Sequence, residues 1–117
     1  MQVRTVSSLG QVMVDVKGRV VIPWQFRSRI GDPFRIIHFR EGILQGIREA
    51  DWTVALGKRY PVHARVSIAA NGRIQIPISM RRHCSLRPGM ELMVWMDAGK
   101  LWLAPYEAWL EWLEKPE

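Results

Sequence analysis

The sequence has little cysteine and no long apolar run. Cys84 is the only cysteine, so the chain can form no internal disulfide, and nothing indicates an oxidising compartment. No stretch of 18 apolar residues is present, and residues 1–5 lack the apolar core of a signal peptide. These absences predict a soluble, cytoplasmic protein that does not enter a membrane.

Signatures of catalysis and of metal binding are also missing. The sequence has no Gly-x-Ser-x-Gly motif, no phosphate-binding loop and no cysteine with a plausible base and orienting partner. His38, His63 and His83 are scattered along the chain, and Cys84 has no second cysteine with which to form a zinc site. We therefore expect no enzyme, no cofactor and no metal.

Acidic residues are scarce where basic residues are common. Residues 1–90 carry 15 Lys and Arg against 5 Asp and Glu, whereas residues 91–117 carry 2 against 6. The net charge of +6 favours an acidic partner. Charge alone does not separate DNA from RNA, an acidic protein, anionic lipid or a merely solvated surface.

The chain contains an internal repeat. The hexapeptide at residues 18–23, Gly-Arg-Val-Val-Ile-Pro, matches Gly-Arg-Ile-Gln-Ile-Pro at residues 72–77, and later segments match at an offset of 57. We place one unit in residues 1–57 and the other in residues 62–117, with residues 57–61 as the linker. Each unit is too small for a core of its own, so we expect both to form one pseudo-twofold barrel.

Each unit has the pattern of a strand, a glycine turn, a short strand, a short helix and a hairpin. Prolines that suit a first helical turn predict helices over residues 24–30 and 78–84, and the hairpins should turn at residues 41–42 and 97–99. A C-terminal helix is expected over residues 106–115, with apolar side chains along one face. The alternating apolar residues that predict the first strands are Val12, Val14 and Val16 in one unit and Ala64, Val66 and Ile68 in the other.

The glycine turns favour one strand register. A three-residue loop at residues 16–18 keeps the apolar side chains on one face, gives Gly18 a left-handed conformation and sets Asp15 opposite Arg19. The same loop at residues 70–72 leaves Arg73 opposite Ala69. The apolar pairs that this register predicts are Val12–Ile22, Val14–Val20, Val66–Ile76 and Ile68–Ile74.

The stretch from Val14 to Pro23 resembles the DNA-binding unit of the AbrB/MazE/SpoVT family, in which Asp-x-x-Gly-Arg precedes an alternating apolar run and a proline. Its duplication resembles the tandem arrangement of the MraZ family of regulators. The resemblance covers residues 10–52 and 64–109. It implies a mainly β fold with short helices, a swapped-hairpin β-barrel whose units exchange strands, and a transcription regulator that binds duplex DNA in the nucleoid.

The resemblance also implies which residues contact DNA, namely the arginine of each Gly-Arg pair and basic residues of the following helix. Carried over by position, it selects Arg19, Arg27, Arg73, Arg81 and Arg82. To these we add Lys17, Asn71 and Arg65 as candidate DNA contacts. The second unit departs from the family pattern because Ala69 replaces the Asp, and Ser28 replaces a second helix Arg in the first unit.

The tryptophans and the acidic C-terminus leave alternatives open. Packing in a core or an interface is the favoured interpretation of Trp24, with stacking on a base as the alternative. Trp95, Trp102, Trp109 and Trp112 are expected in the core, in helix docking or in a subunit interface. Because residues 106–117 are acidic and rich in Trp, the alternative function is an interaction module, either an antitoxin or an RNA-polymerase-binding factor. A homo-oligomer is also open.

Overall fold

A computed structural model describes residues 8–114 of the chain, which hold eight strands and four α-helices. The strands are β1 (Leu9–Met13), β2 (Arg19–Val21), β3 (Phe34–Arg40), β4 (Ile43–Arg48), β5 (His63–Val66), β6 (Arg73–Gln75), β7 (Glu91–Asp97) and β8 (Lys100–Ala104). The helices are α1 (Trp24–Ile30), α2 (Val54–Arg59), α3 (Ile78–His83) and α4 (Tyr106–Glu114), with a 3-10 turn at Glu49–Asp51. Within the described part of the chain, no helix is long and apolar enough to cross a membrane.

The strands of the two repeats are interleaved. One sheet has the order β1-β7-β8-β4-β3-β5, so β1 pairs with a hairpin of the second repeat and β5 with a hairpin of the first. The short strands β2 and β6 pair with each other as a separate antiparallel ribbon. The mainly β class and the exchange of strands agree with the sequence-based expectation.

The expected closed barrel is wrong in one respect, because the six-stranded sheet is open. β1 and β5 are its two edges, and no ladder joins them. β2 and β6 do not complete the circle, since each is only three residues long and their ladder partners are each other. The architecture is an open six-stranded sheet with a two-stranded ribbon packed on one face.

The predicted register holds only at the turns. Asp15 N–H donates to the Arg19 carbonyl at 2.9 Å, and Ala69 N–H donates to the Arg73 carbonyl at 2.9 Å. Beyond these bonds the strands diverge, because β1 pairs with β7 and β2 pairs with β6. The four predicted apolar pairs, Val12–Ile22, Val14–Val20, Val66–Ile76 and Ile68–Ile74, are therefore not ladder partners.

Two apolar clusters lie on opposite faces of the sheet. The larger cluster packs the inward residues of the ribbon, Val20 and Ile74, with α1, α3 and one sheet face. The smaller cluster packs Trp95, Trp102 and Trp112 between the other face and α4. Val14 belongs to the larger cluster, but Val16, which the alternation assigned to the same face, is 83% exposed in the turn.

The predicted helices are found, with two differences. Pro23 and Pro77 precede α1 and α3 as N-caps instead of occupying their first turns, which suits residues that cannot donate a backbone hydrogen bond. The expected linker at residues 57–61 lies partly in α2, which begins after the Thr53 cap, where Thr53 Oγ1 accepts the Leu56 N–H. Lys115, in the predicted C-terminal helix, lies outside the described residues.

Interleaving predicts that neither repeat folds by itself as a monomer. A fragment of residues 1–57 lacks the partner of β1, and a fragment of residues 62–117 lacks the partner of β5. We expect each fragment, expressed separately, to be unfolded or to form a homodimer that replaces the missing strands with a second copy. Circular dichroism and sedimentation equilibrium check this, and two folded monomeric fragments would contradict it.

Candidate nucleic-acid interface

The ribbon of β2 and β6 exposes one polar face. Its ladder pairs are Arg19 with Gln75, Val20 with Ile74 and Val21 with Arg73. Successive side chains of a strand point to opposite faces, and the middle pair is buried in the core. The two outer pairs therefore face away from the core and place one arginine near each end of the ribbon.

Arg19 is held by the turn that precedes it. Its Nε donates to Asp15 Oδ2 at 2.8 Å, while Asp15 Oδ1 accepts the backbone N–H groups of Lys17 and Arg19 at 2.9 Å each. The Arg19 backbone N–H is the main cause that lowers the pKa of the Asp15 carboxyl below its ordinary value of 3.8. The ionised carboxylate thus supports the turn at neutral pH, and this support is lost as the pH falls through the lowered pKa. The predicted Asp15–Arg19 pair is confirmed.

The corresponding turn of the second repeat leaves its arginine free. Asn71 Oδ1 accepts the Arg73 backbone N–H at 3.2 Å and so replaces part of the role of Asp15. Ala69, at the position of Asp15, provides no carboxylate. Within residues 8–114, the Arg73 guanidinium has no hydrogen bond or ion pair. The two ends of the ribbon therefore differ in the freedom of their arginines.

Arg27 and Arg81 connect the two repeats. Arg27 Nε donates to the Ile22 carbonyl at 2.7 Å, and Arg81 Nε donates to the Ile76 carbonyl at 3.0 Å. Each guanidinium lies against the glycine turn of the opposite repeat. Arg27 contacts Gly72, where φ is +84°, and Arg81 contacts Gly18, where φ is +77°. At both turns a β-carbon would overlap the guanidinium.

The remaining candidates divide between two faces. Lys17 and Asn71 are exposed in the two turns, and Arg82 is exposed on α3 beside Arg81. Arg65 lies elsewhere, because its neighbour Val66 points to the face that carries the ribbon and Arg65 therefore points to the other face. Its Nε is 3.6 Å from a Glu49 carboxylate oxygen. The structure thus brings seven of the eight candidates together and separates Arg65 from them.

Few acidic residues oppose these cations. Residues 16–31 and residues 52–90 contain no Asp or Glu, and Asp15 is the one acid in the turns of the ribbon. The ribbon, its turns and helices α1 and α3 come almost entirely from these two segments. Such a surface attracts a polyanion.

Two ribbon residues were missed by the sequence reasoning. Gln75 and Val21 occupy matching positions in the two repeats and lie on the outer face beside the arginines. Gln75 Nε2 donates to the Lys17 carbonyl at 2.7 Å and so fastens the first turn to the second repeat. The alternation of β2 and β6 was the available signal, but it becomes informative only when the two strands are known to pair.

The favoured interpretation of Trp24 is not met within the chain. Trp24 begins α1 and is 78% exposed, so it does not pack in the core. Trp95, Trp102 and Trp112 are buried, with exposed fractions of 0%, 4% and 0%. For these three the expected core and helix-docking role is confirmed.

The C-terminal helix packs its tryptophan face on the sheet and leaves Tyr106 and Leu110 exposed on its other side. Trp112 packs against Trp95 at a ring separation of 4.9 Å and against Trp102 at 5.5 Å. Trp109 is partly buried in the same cluster. The tryptophan face of α4 therefore stabilises its own sheet.

The histidines and Cys84 do not converge on a metal site. The rings of His38 and His83 stack at 5.0 Å with their planes 12° apart, an arrangement that does not direct their lone pairs at a common point. Desolvation lowers the pKa of His38, and burial raises the pKa of the Cys84 thiol to about 11. In residues 8–114 no group of three or more potential metal ligands is found.

Three transcriptional regulators are similar to this chain in amino-acid sequence over most of its length. The transcriptional regulator MraZ of Ligilactobacillus salivarius is 30% identical over 91 residues, 63% of this chain and 64% of that protein. The regulators of the same name from Limosilactobacillus reuteri and Leuconostoc mesenteroides are 29% and 28% identical, over 82% and 78% of this chain and 78% and 76% of those proteins. The chain is therefore similar to regulators named MraZ, which supports an MraZ/AbrB-like family of transcriptional regulators. The match thus spans a little under two thirds of the L. salivarius protein.

The similarity to MraZ regulators is one of sequence. No family model matches the chain. The solution structure of PHS018 from Pyrococcus horikoshii is 16% identical, covers 88% of this chain and 96% of that one, and superimposes with a TM-score of 0.43.

The contact between Arg27 and Gly72 predicts that an alanine at position 72 lowers the stability of the protein more than an alanine at a glycine without such a contact. Gly72→Ala introduces a β-carbon at positive φ and displaces the Arg27 guanidinium, whereas Gly99→Ala introduces one at φ +74° with nothing within 4 Å. Both variants incur backbone strain, but only Gly72→Ala disturbs the contact between repeats. We expect its free energy of unfolding to fall by about 1 kcal/mol more, the value of one hydrogen bond. Chemical denaturation measures both, and equal losses would contradict a structural role for Arg27.

Proposed function

We propose that this protein is a transcription regulator that binds duplex DNA through the β2–β6 ribbon and the helices α1 and α3. The observation that carries the proposal is the ribbon itself, whose outer face presents Arg19 and Arg73 and whose two turns contain Asp15 as their one acid. A two-stranded antiparallel ribbon fits the major groove of B-DNA, where arginine side chains can read guanine edges. The relatives named as transcriptional regulators support the same assignment.

The residues of the interface have different roles in this proposal. Arg73 contacts a base edge or a phosphate because its guanidinium is unengaged. Arg19 contacts DNA while it remains tethered to Asp15. Lys17, Asn71 and Arg82 contact phosphates or sugars around the ribbon. Phosphate contacts of this kind fix the position of a protein on DNA, whereas base contacts give specificity.

Arg27 and Arg81 act mainly as positioning residues. Each uses its Nε to bind the end of its own short strand and places its guanidinium under the turn of the other repeat. Their remaining N–H groups can still meet a phosphate at the rim of the interface. Arg65 does not belong to this interface, because its strand directs it to the opposite face.

Binding to duplex DNA is expected to weaken steeply as salt concentration rises. If six to eight phosphates are neutralised, the logarithm of the association constant against the logarithm of salt concentration should slope at roughly −5 to −7. Fluorescence anisotropy with a labelled duplex measures the slope. A flat response, or no binding at low salt, would exclude this function.

The two ribbon arginines should differ in their contribution to binding. Arg73→Ala should weaken binding more than Arg19→Ala, by about 1–3 kcal/mol if Arg73 reads a base. If Arg73 contacts only a phosphate, the loss should be similar for all sequences, and the salt slope should shrink by about one unit. Titrations of both variants against one duplex measure the difference.

A reciprocal pair of variants controls for the Asp15–Arg19 contact. Ala69→Asp places a carboxylate in a turn whose backbone hydrogen bonds match those of the Asp15 turn, so it should tether Arg73 and weaken binding. Asp15→Ala should leave folding nearly intact and preserve or improve DNA affinity. Equal or reversed losses for Arg19→Ala and Arg73→Ala would show that tethering does not govern the use of these residues.

A further inference from the structure

Trp24 is the largest side chain that the described part of the molecule leaves in solvent, with 78% of its surface exposed. Large aromatic side chains usually bury their rings in a core or at an interface. In the second repeat the matching position is Ile78, which is 54% exposed. An exposed apolar residue therefore occurs at the start of both helices, but only the first repeat carries an indole.

Trp24 lies next to the ribbon. It is three residues beyond Val21, so the two α-carbons are at most ~11 Å apart, and the ladder partner of Val21 is Arg73. Helix α1 is fixed to the ribbon because Arg27 Nε donates to the Ile22 carbonyl and its guanidinium contacts Gly72. The indole is thus carried by a helix whose position relative to Arg73 is set.

The charges around Trp24 determine which partner suits it. Residues 16–31 contain Lys17, Arg19, Arg27 and Arg29 and no acid. A second copy of this chain docking there through the same face would bring like charges together, which disfavours association. Duplex DNA offers phosphates for the arginines and, where a base step opens, the flat face of a base for the indole.

We propose that Trp24 binds DNA by stacking its indole on a base at one end of the site. This inference rests on the proposed function and adds a contact that electrostatics does not provide. Apolar side chains that enter between base steps partly unstack and kink the duplex. Pyrimidine–purine steps such as TA and CA deform most easily. The wild-type protein should therefore prefer such a step at the end of the site occupied by the first repeat.

The decisive variant is Trp24→Ile, which installs the residue found at the matching position of the second repeat. We expect it to weaken binding about tenfold, within the range observed when base–aromatic stacking is removed. The salt slope should not change, because the indole carries no charge. Arg73→Ala, in contrast, should reduce the salt slope by about one unit if Arg73 contacts a phosphate.

Two matched controls separate the contact from a general loss of apolar surface. Ile78→Ala removes the exposed apolar residue of the second repeat, and Val54→Ala removes one that is 77% exposed on α2. Val54→Ala should leave affinity unchanged, and Ile78→Ala should weaken it less than Trp24→Ile does. Circular dichroism checks that each variant is folded.

Tryptophan fluorescence tests the stacking directly. DNA should quench the wild-type emission, and most of the quenching should be absent in Trp24→Ile. Trp95, Trp102, Trp109 and Trp112 lie in the cluster on the other face of the sheet, and Trp52 packs against Arg35, the ladder partner of Arg65. Unchanged affinity with unchanged quenching would overturn the inference while the salt slope still upheld DNA binding. Loss of a wild-type oligomer in Trp24→Ile, with unchanged DNA affinity, would assign the indole to a subunit interface instead. A wild-type protein that binds no DNA would overturn both proposals.

Discussion

The contact between each glycine turn and an arginine of the other repeat holds the ribbon and its two flanking helices together. Arg27 fills the space beside Gly72, and Arg81 fills the space beside Gly18. Each arginine also binds the carbonyl at the end of its own strand. The ribbon, both turns and both helices are therefore fixed by two equivalent contacts. A ribbon of three-residue strands has few ladder hydrogen bonds, so it needs this support from outside.

Features that depend on neighbouring residues could be predicted from the sequence. Proline and glycine positions indicated α1 and α3, and the three-residue loop placed Asp15 opposite Arg19. The longer pairings were wrong because an alternating apolar strand can present the same face to any partner. Nothing local distinguishes a hairpin from a strand that crosses to the other repeat. For the same reason the pattern did not show that the sheet stays open.

The sequence identified most residues of the candidate site but not the role of each one. The repeat places Arg27 and Arg81 at equivalent positions, and likewise Gly18 and Gly72. The contacts of these arginines with the glycines of the other repeat appear only when the repeats are interleaved. Arg65 was grouped with the other cations because charge alone does not show which face of a strand a residue occupies. Trp24 was expected to pack because large aromatic residues generally do, and its exposure depends on where α1 ends up.

The positions at which the two repeats differ are themselves informative. The glycines and arginines that join the repeats are the same in both, as with Gly18 and Gly72 and with Arg27 and Arg81. Two residues outside the core differ, since Asp15 is replaced by Ala69 and Trp24 by Ile78. A symmetric scaffold with unlike outward side chains presents two unlike half-surfaces to one partner. Under the proposed function, two chemically unlike halves would recognise an asymmetric sequence in a single orientation, because reversing the DNA would oppose the wrong side chains to each half-site. The divergence between the repeats therefore makes the surface asymmetric in its side chains, although its backbone is nearly symmetric.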